Sequence, residues 1–340
     1  MLKTWVARAG AALAAILAVA SVAAAQTKTS VGVLRLTSSG PIFIAMDKGY
    51  FRDEGLDVEL KFFTAATQPP IAVTSGDVDF AVTGLTAAFY NLAAKGGVKI
   101  IGAQSRDEAG FPLIAYMVTN ASWDKGFRSL KDFAGKSVAT TTAGSTFHYS
   151  LGLLADKYGF DVNTVTLRQL QGLPAVQAAF KGGQVDAALL PVSSARAVEA
   201  EGAGKILGWV GDETPWQVGA LFTSPRTIAE RRPLVEAFIR AYKKAAADYH
   251  AAFNKKDASG ALVKGEGYDA LMAILSKWMQ QKPELIAIGL PYIDPQGRLL
   301  VGDIHNQVAF WQRTGLVDKG LNAKDVVDLS FIEGHFDAPR

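Results

Sequence analysis

The 340-residue sequence contains no cysteine. That absence removes disulfide scaffolds, thiolate zinc sites, iron–sulfur clusters, cysteine nucleophiles and bacterial lipoprotein anchors together. Histidine is scarce as well. The four, His148, His250, His305 and His335, are widely spaced and form no H-x-x-x-H pair of the kind that grips a metal, so neither a metal nor a cofactor is expected. An excess of charge is also lacking: the formal net charge is only +3, and two of the positives, Lys3 and Arg8, lie in a segment expected to be removed. A nucleic-acid partner is therefore not indicated. After residue 25 no apolar run approaches the length of a membrane span. What remains, 49% apolar and 20% charged residues, is a soluble globular composition long enough for two domains with cores.

Residues 1–25 read as an export signal. Lys3 and Arg8 precede an apolar run from Ala11 to Ala20, and Ala23-Ala24-Ala25 before Gln26 supplies the small residues a signal peptidase requires. The mature chain, from about Gln26, is expected in the periplasm.

From there the pattern is β-loop-α repeated. Val31 to Leu36 reads as a strand ending at Thr37-Ser38-Ser39-Gly40-Pro41, where proline suits a first helical position. A helix is expected to about Glu54, closed by Gly55, with strands at Leu56–Phe63 and Val78–Thr83 and a helix opening at Pro69-Pro70 and stopping at Gly76. The layout recurs. An offset of 104 relates Thr37 to Thr141, Gly40 to Gly144, Phe43 to Phe147 and Gly55 to Gly159, while Gly76-Asp77-Val78-Asp79-Phe80-Ala81 returns as Gly183-Gln184-Val185-Asp186-Ala187-Ala188 at an offset of 107. Because the shared residues fall at caps and strand ends, where backbone geometry dictates residue type, they indicate two similar α/β lobes with mixed, mainly parallel sheets. Three later stretches, Glu230–Phe253, Tyr268–Gln281 and Asp303–Gly315, have helical periodicity and are expected to return to the first lobe. The boundaries that follow are 26–118 plus 223–340 for lobe 1 and 119–222 for lobe 2, with a double crossover hinge near Tyr116–Thr119 and Gly219–Phe222.

Parallel sheets facing each other place their strand C-termini at one cleft. The first lobe should contribute Ser38, Ser39 and Gly40, the loop Thr64–Gln68 with Thr67, and Thr83, Gly84 and Thr86. The second should contribute Gly144, Ser145, Thr146, Phe147 and His148, then Gln171-Gly172, then Pro191-Val192-Ser193. Small hydroxyl residues before helices let first-turn N–H donors and the helix dipole face a negative group, although the same residues serve as ordinary N-caps. The nearby cations are Arg35, Arg106, Arg168 and His148. Phe43, Phe62, Tyr90, Phe147 and Trp216 are the aromatics that would enclose an apolar body or else fill the core.

Enzyme signatures are poor. Gly135-Lys136-Ser137 has Leu130 where a phosphate-binding loop needs its first glycine and precedes a strand, so it reads as a turn. Gly202-Ala203-Gly204 lacks the third glycine of a dinucleotide fingerprint, and no G-x-S-x-G elbow occurs. No catalytic residue is assigned.

Pro41-Ile42-Phe43-Ile44-Ala45-Met46-Asp47-Lys48-Gly49-Tyr50-Phe51-Arg52-Asp53-Glu54-Gly55-Leu56-Asp57-Val58, Ser75-Gly76-Asp77-Val78-Asp79-Phe80-Ala81 and Ala143-Gly144-Ser145-Thr146 carry a family resemblance. In these phrases the chain resembles the periplasmic substrate-binding proteins of ABC importers, in the branch serving nitrate, alkanesulfonates, taurine and thiamine-pyrimidine precursors. The resemblance implies a two-lobed hinge protein of the type II-like periplasmic binding protein fold that captures a solute and presents it to a membrane permease, with ligand loops at Ser38–Gly40, Thr83–Thr86 and Gly144–Phe147. The hydroxyls, helix N-termini and few cations of the cleft loops favour a small organic anion, and a monomer is expected. One departure stands out: Leu190-Pro191-Val192-Ser193 replaces the acidic-proline-aromatic phrase of many relatives. The pyrimidine synthase that shares this fold, whose pattern includes cysteines, and a periplasmic sensor domain are the alternatives.

Overall fold

Two five-stranded sheets built to one plan organise the chain, seen in a computed structural model that describes residues 26–337; the expected signal peptide lies outside them. The first sheet takes β1 (Thr27–Leu34), β2 (Leu56–Phe63), β3 (Phe80–Gly84), β4 (Lys99–Ala103) and β12 (Gly219–Thr223), in the order β2-β1-β3-β12-β4. The second takes β6 (Ile114–Thr119), β7 (Ser137–Thr140), β8 (Thr166–Gln169), β9 (Ala187–Pro191) and β10 (Gly204–Trp209), in the order β8-β7-β9-β6-β10. In each sheet the first three strands run parallel, and the fourth, β12 or β6, runs against both its neighbours. That reversed strand is the one arriving from the other lobe. Between the sheets, β5 (Arg106–Asp107) and β11 (Trp216–Gln217) pair as a short antiparallel ribbon.

This is the expected two-lobed α/β fold with a double crossover. The crossing points differ from expectation. Strand β6 belongs to the second sheet and β12 to the first, so the chain crosses at 104–113 and 210–218, before the positions near Tyr116–Thr119 and Gly219–Phe222. Both strands are fully buried apolar runs, and such a run looks the same whichever sheet it joins.

The repeated Gly-x-Val-Asp phrase has a structural purpose in both lobes. The Asp79 carboxylate accepts the Ser30 amide of β1 at 2.9 Å while Ser30 Oγ accepts the Asp79 amide at 3.2 Å. Asp186 and Ser137 of β7 reproduce this exchange at 2.9 and 3.0 Å. Each pair clamps the entry of the third strand of its lobe, β3 or β9, to the first strand, β1 or β7. Gly55 and Gly159 likewise both hold left-handed backbone, φ 76° and 73°, just after helices Tyr50–Asp53 and Thr146–Tyr158.

The long helix Arg232–Phe253 returns to the first lobe as expected. Its buried stripe, including Leu234, Val235, Phe238, Ala241, Tyr242, Ala245 and Tyr249, follows the 3.6-residue period, and Phe238 stacks on Phe80 of β3 at 4.1 Å between ring centres. The helix Val301–Arg313 does not simply follow. Its Phe310 and Trp311 rings pack against Tyr149 and His148 of the second-lobe helix Thr146–Tyr158, and the largest apolar cluster runs through them from one sheet to the other.

Candidate functional site

The expected cleft loops lie at the strand C-termini, and two of them meet across the lobes. The amide of Ala87, the first residue of helix Ala87–Ala94, donates to the Gly144 carbonyl at 2.9 Å. Gly144 has φ +75°, which L side chains rarely adopt, and a Cβ there would stand 2.7 Å from the Ala87 methyl. Opposite, a Cβ at Gly84 would stand 3.1 Å from the Thr146 methyl. The glycines therefore allow two helix N-termini to close on one another.

Three hydroxyl residues begin helices here, and they differ. Thr86 Oγ1 accepts the Phe89 amide at 3.2 Å, and Ser145 Oγ accepts the His148 amide at 3.4 Å while lying 3.1 Å from Thr140 Oγ1, so both cap their own helices. Ser39, before helix Gly40–Asp47, makes no cap bond. It is only 1% exposed, and its Oγ has no hydrogen-bond partner in the chain. Ser38 is half-buried in the preceding turn. Gly40 takes helical backbone, and a Cβ would lie 2.7 Å from the Tyr249 ring, so its smallness serves packing on the long helix. The offset of 104 that paired Gly40 with Gly144 thus fails. The serines before the helices, Ser39 and Ser145, are the equivalent positions.

Thr67 is exposed in a loop closed by Gln68, whose side-chain oxygen accepts the Thr64 and Ala65 amides at 2.9 and 3.0 Å, and Thr83 donates to the Ala66 carbonyl at 3.4 Å. Phe147 is buried, and Ser193 is exposed on helix Val192–Ala200. Trp216 is a core residue: fully buried in the crossing ribbon, it donates from Nε1 to Asp107 at 3.0 Å. Large size and apolarity had left its role open, and burial decides it.

The cations are mostly committed elsewhere. His148 is buried against Phe310 and Trp311, with Nδ1 accepting the Gly144 amide at 3.2 Å, and burial pushes its pKa down to about 4. It fixes the Gly144 turn as a neutral ring. Arg35 lies 3.8 Å over the Phe62 ring and donates to the Trp278 carbonyl at the end of helix Tyr268–Met279. Arg106 is 4% exposed in the ribbon, 3.4 Å from Glu108 and 4.5 Å over Tyr292. Arg168 is exposed on the edge strand β8.

A buried polar relay between the lobes had no counterpart in the sequence reading. Asp303 accepts from Tyr149 at 2.9 Å, from the Gln217 amide at 2.9 Å and from Gln307 at 2.8 Å, and Gln307 Oε1 accepts from Tyr90 of the first lobe at 2.9 Å. Burial raises Asp303 to about 6 against the pull of those donors, and Asp107 to about 8. The available signal was Asp303 and Gln307, four residues apart on the apolar face of an amphipathic helix. Among the described residues no group of three His, Asp or Glu could hold a metal, and no helix is long and apolar enough to cross a membrane.

Solved structures share this architecture. The alkanesulfonate-binding protein SsuA from Xanthomonas axonopodis pv. citri, bound to MOPS, superposes with a TM-score of 0.68 at 18% identity, covering 90% of this chain and 99% of its own. The periplasmic aliphatic sulphonate-binding protein SsuA from Escherichia coli gives 0.69 at 16% identity over 90% and 98%. The periplasmic nitrate-binding protein NrtA from Synechocystis PCC 6803 gives 0.66 at 14% identity over 90% and 87%. No curated protein sequence matches. The family model described as NMT1/THI5 like matches residues 36–254, well over half of the sequence, and the chain belongs to that family.

Proposed function

We propose that the protein is an extracytoplasmic solute-binding component of an ABC importer, a non-enzymatic monomer in the periplasm that closes around a small organic anion and delivers it to a membrane permease. The observation that carries this reading is the meeting of two helix N-termini from opposite lobes at Ala87 and Gly144, with the uncapped, buried Ser39 hydroxyl at the helix start that follows β1. Such a junction concentrates backbone N–H donors and helix-dipole potential, which favours an oxyanion. Membership of the family and likeness to sulfonate- and nitrate-binding proteins point the same way. A binding role fits the chemistry of the cleft: Ser145 Oγ and His148 Nδ1 each accept a local backbone amide and do not bond one another as a nucleophile–base pair. A carboxylate or sulfonate with an apolar or aromatic part is the favoured ligand.

The test is a thermal-shift screen of the purified mature chain with alkyl and aryl sulfonates, carboxylates, nitrate, pyrimidines, neutral sugars and cationic amines. Stabilisation by an organic anion, followed by compaction in small-angle scattering, is expected. Stabilisation confined to sugars or amines would sink the anion reading, and turnover of the bound solute would sink the binding-only role.

A further inference from the structure

Resting on the solute-binding reading, we infer that Tyr249, on the long helix Arg232–Phe253, holds the bound solute together with Ser39: the two hydroxyls flank the start of helix Gly40–Asp47 and are bridged by one oxygen-bearing group of the ligand. Five tyrosines among the described residues are buried, and four of them donate: Tyr90 to Gln307, Tyr116 to the Ser150 carbonyl, Tyr149 to Asp303 and Tyr242 to the Ala103 carbonyl, each at 2.9 Å. Tyr249 is the exception. It is fully buried, and its hydroxyl has no hydrogen-bond partner in the chain, Ser39 Oγ included.

Gly40 sets where the ring stands. A Cβ on that residue would lie 2.7 Å from Tyr249 Cε2 and 2.9 Å from Cδ2, so the ring rests against the first residue of the helix with its hydroxyl-bearing end the nearer. Leu275 reaches the same point at 3.1 Å, and Phe253 packs edge-on against the ring at 4.8 Å, so the surroundings are apolar. Phenylalanine would fill this space and bury no polar atom, which makes the hydroxyl a group in want of a partner. Burial holds the phenol well above its ordinary pKa, so it stays a neutral donor. The helix start itself has little to offer: the Gly40 amide bonds the Thr37 carbonyl, and Pro41 has no N–H. The Ser39 and Tyr249 hydroxyls supply donors in their place. One carboxylate, sulfonate or carbonyl group seated there satisfies both.

The experiment compares Tyr249→Phe, Ser39→Ala and the double variant with Tyr242→Phe, a control on the same helix whose hydroxyl is already bonded. Each whole mature chain is unfolded in urea without ligand and titrated by calorimetry with the alkyl and aryl sulfonates and carboxylates of the thermal-shift screen. Tyr249→Phe should keep its unfolding free energy and weaken binding by more than about twofold and up to about tenfold. The double variant should weaken it by less than the product of the single effects, since one bridged group is lost only once. Tyr242→Phe should do the reverse, losing stability while binding within about twofold of the parent. A Tyr249→Phe chain that binds within twofold of the parent, or that loses stability as Tyr242→Phe does, overturns the inference: the hydroxyl then has a structural role, and binding by the parent leaves the importer reading standing. Single effects that multiply overturn the bridge, because the two hydroxyls then serve separate groups. If the parent binds none of these anions, the anion-binding reading itself falls, and the Tyr249 assignment with it.

Discussion

Replacing Ser39 by alanine separates a ligand-facing hydroxyl from a structural one, because Ser145 provides a matched control. Both residues precede a helix at equivalent strand ends, and both are buried, 1% and 6% exposed. Ser145 Oγ accepts the His148 amide; Ser39 Oγ accepts nothing. Removing a working N-cap costs about 1 kcal/mol, so Ser145→Ala should lower the melting temperature by about 2–4 °C. A buried hydroxyl without a partner carries a desolvation cost of about 1–3 kcal/mol. Ser39→Ala should therefore lose no stability and gain up to about 1 kcal/mol. Ligand affinity should move the other way: if the hydroxyl donates to the bound anion, its removal costs about 0.5–1.5 kcal/mol, roughly two- to tenfold in Kd. Urea denaturation of the ligand-free protein and calorimetry with the screened anion measure the two effects separately. If Ser39→Ala lost 1 kcal/mol or more of stability, or bound the anion within the error of the parent protein, the assignment of this hydroxyl to the ligand would be wrong.

Gly144→Val should weaken ligand binding more than tenfold, since valine is strained at φ +75° and its Cβ would meet Ala87 at 2.7 Å; calorimetry and scattering with saturating ligand check the loss of closure. At Gly152, in the middle of helix Thr146–Tyr158, an added Cβ would overlap the Phe310 ring, so Gly152→Ala should cost about 1–3 kcal/mol and Phe310→Leu in the same chain should recover part of it, a non-additivity readable in urea denaturation. Because His148 titrates at about 4 when folded against about 6.5 when unfolded, the unfolded chain binds the extra proton between those values. Its contribution is full above pH 6.5 and declines to a loss of up to about 3 kcal/mol at pH 4, so His148→Gln should flatten the fall of unfolding free energy between pH 6.5 and 4.

The doubled α/β layout was legible because the residues that repeat are those whose backbone leaves little choice: Gly55 and Gly159 in left-handed caps, and Asp79 and Asp186 clamping Ser30 and Ser137. Strand β2 was found to the residue for a similar reason, bounded as it is by Gly55 and a polar loop. One helix expected from Pro41 to about Glu54 is broken into Gly40–Asp47 and Tyr50–Asp53 by Gly49 at φ 76°, a break that an isolated glycine inside an apolar pattern does not announce. The candidate loops were located by strand ends, but the division of labour within them was not. Whether Ser39, Thr86 or Ser145 caps its own helix depends on side-chain torsions that no spacing encodes, and Trp216 reads the same in a core as on a ligand platform.

Hinging presupposes two bodies with separate interiors, and the chain departs from that picture in an instructive way. The crossing ribbon β5–β11 is buried, with Trp216 and Asp107 bonded inside it, and helix Val301–Arg313 bridges what the sheets separate. On its second-lobe side Phe310 fills the space left by Gly152, Asp303 accepts from Tyr149, and Arg313 pairs with Asp156 at 3.1 Å; on its first-lobe side the direct polar link is Tyr90 to Gln307. The apolar cluster around the helix reaches both lobes, and the segments flanking the helix are tied to β4 of the first, where Gly297 accepts the Ala103 amide at 3.0 Å and Ile100 bonds Val326 and Asp328 at 2.9 Å each. Opening should therefore shear the Ala87–Gly144 bond and work against the packing of Phe310 on Gly152 and Tyr149, because backbone bonds on both sides of helix Val301–Arg313 hold it to the first lobe. The C-terminal segment 223–340, assigned whole to the first lobe from its periodicity, would then stay with that lobe while its last long helix reaches across to the second.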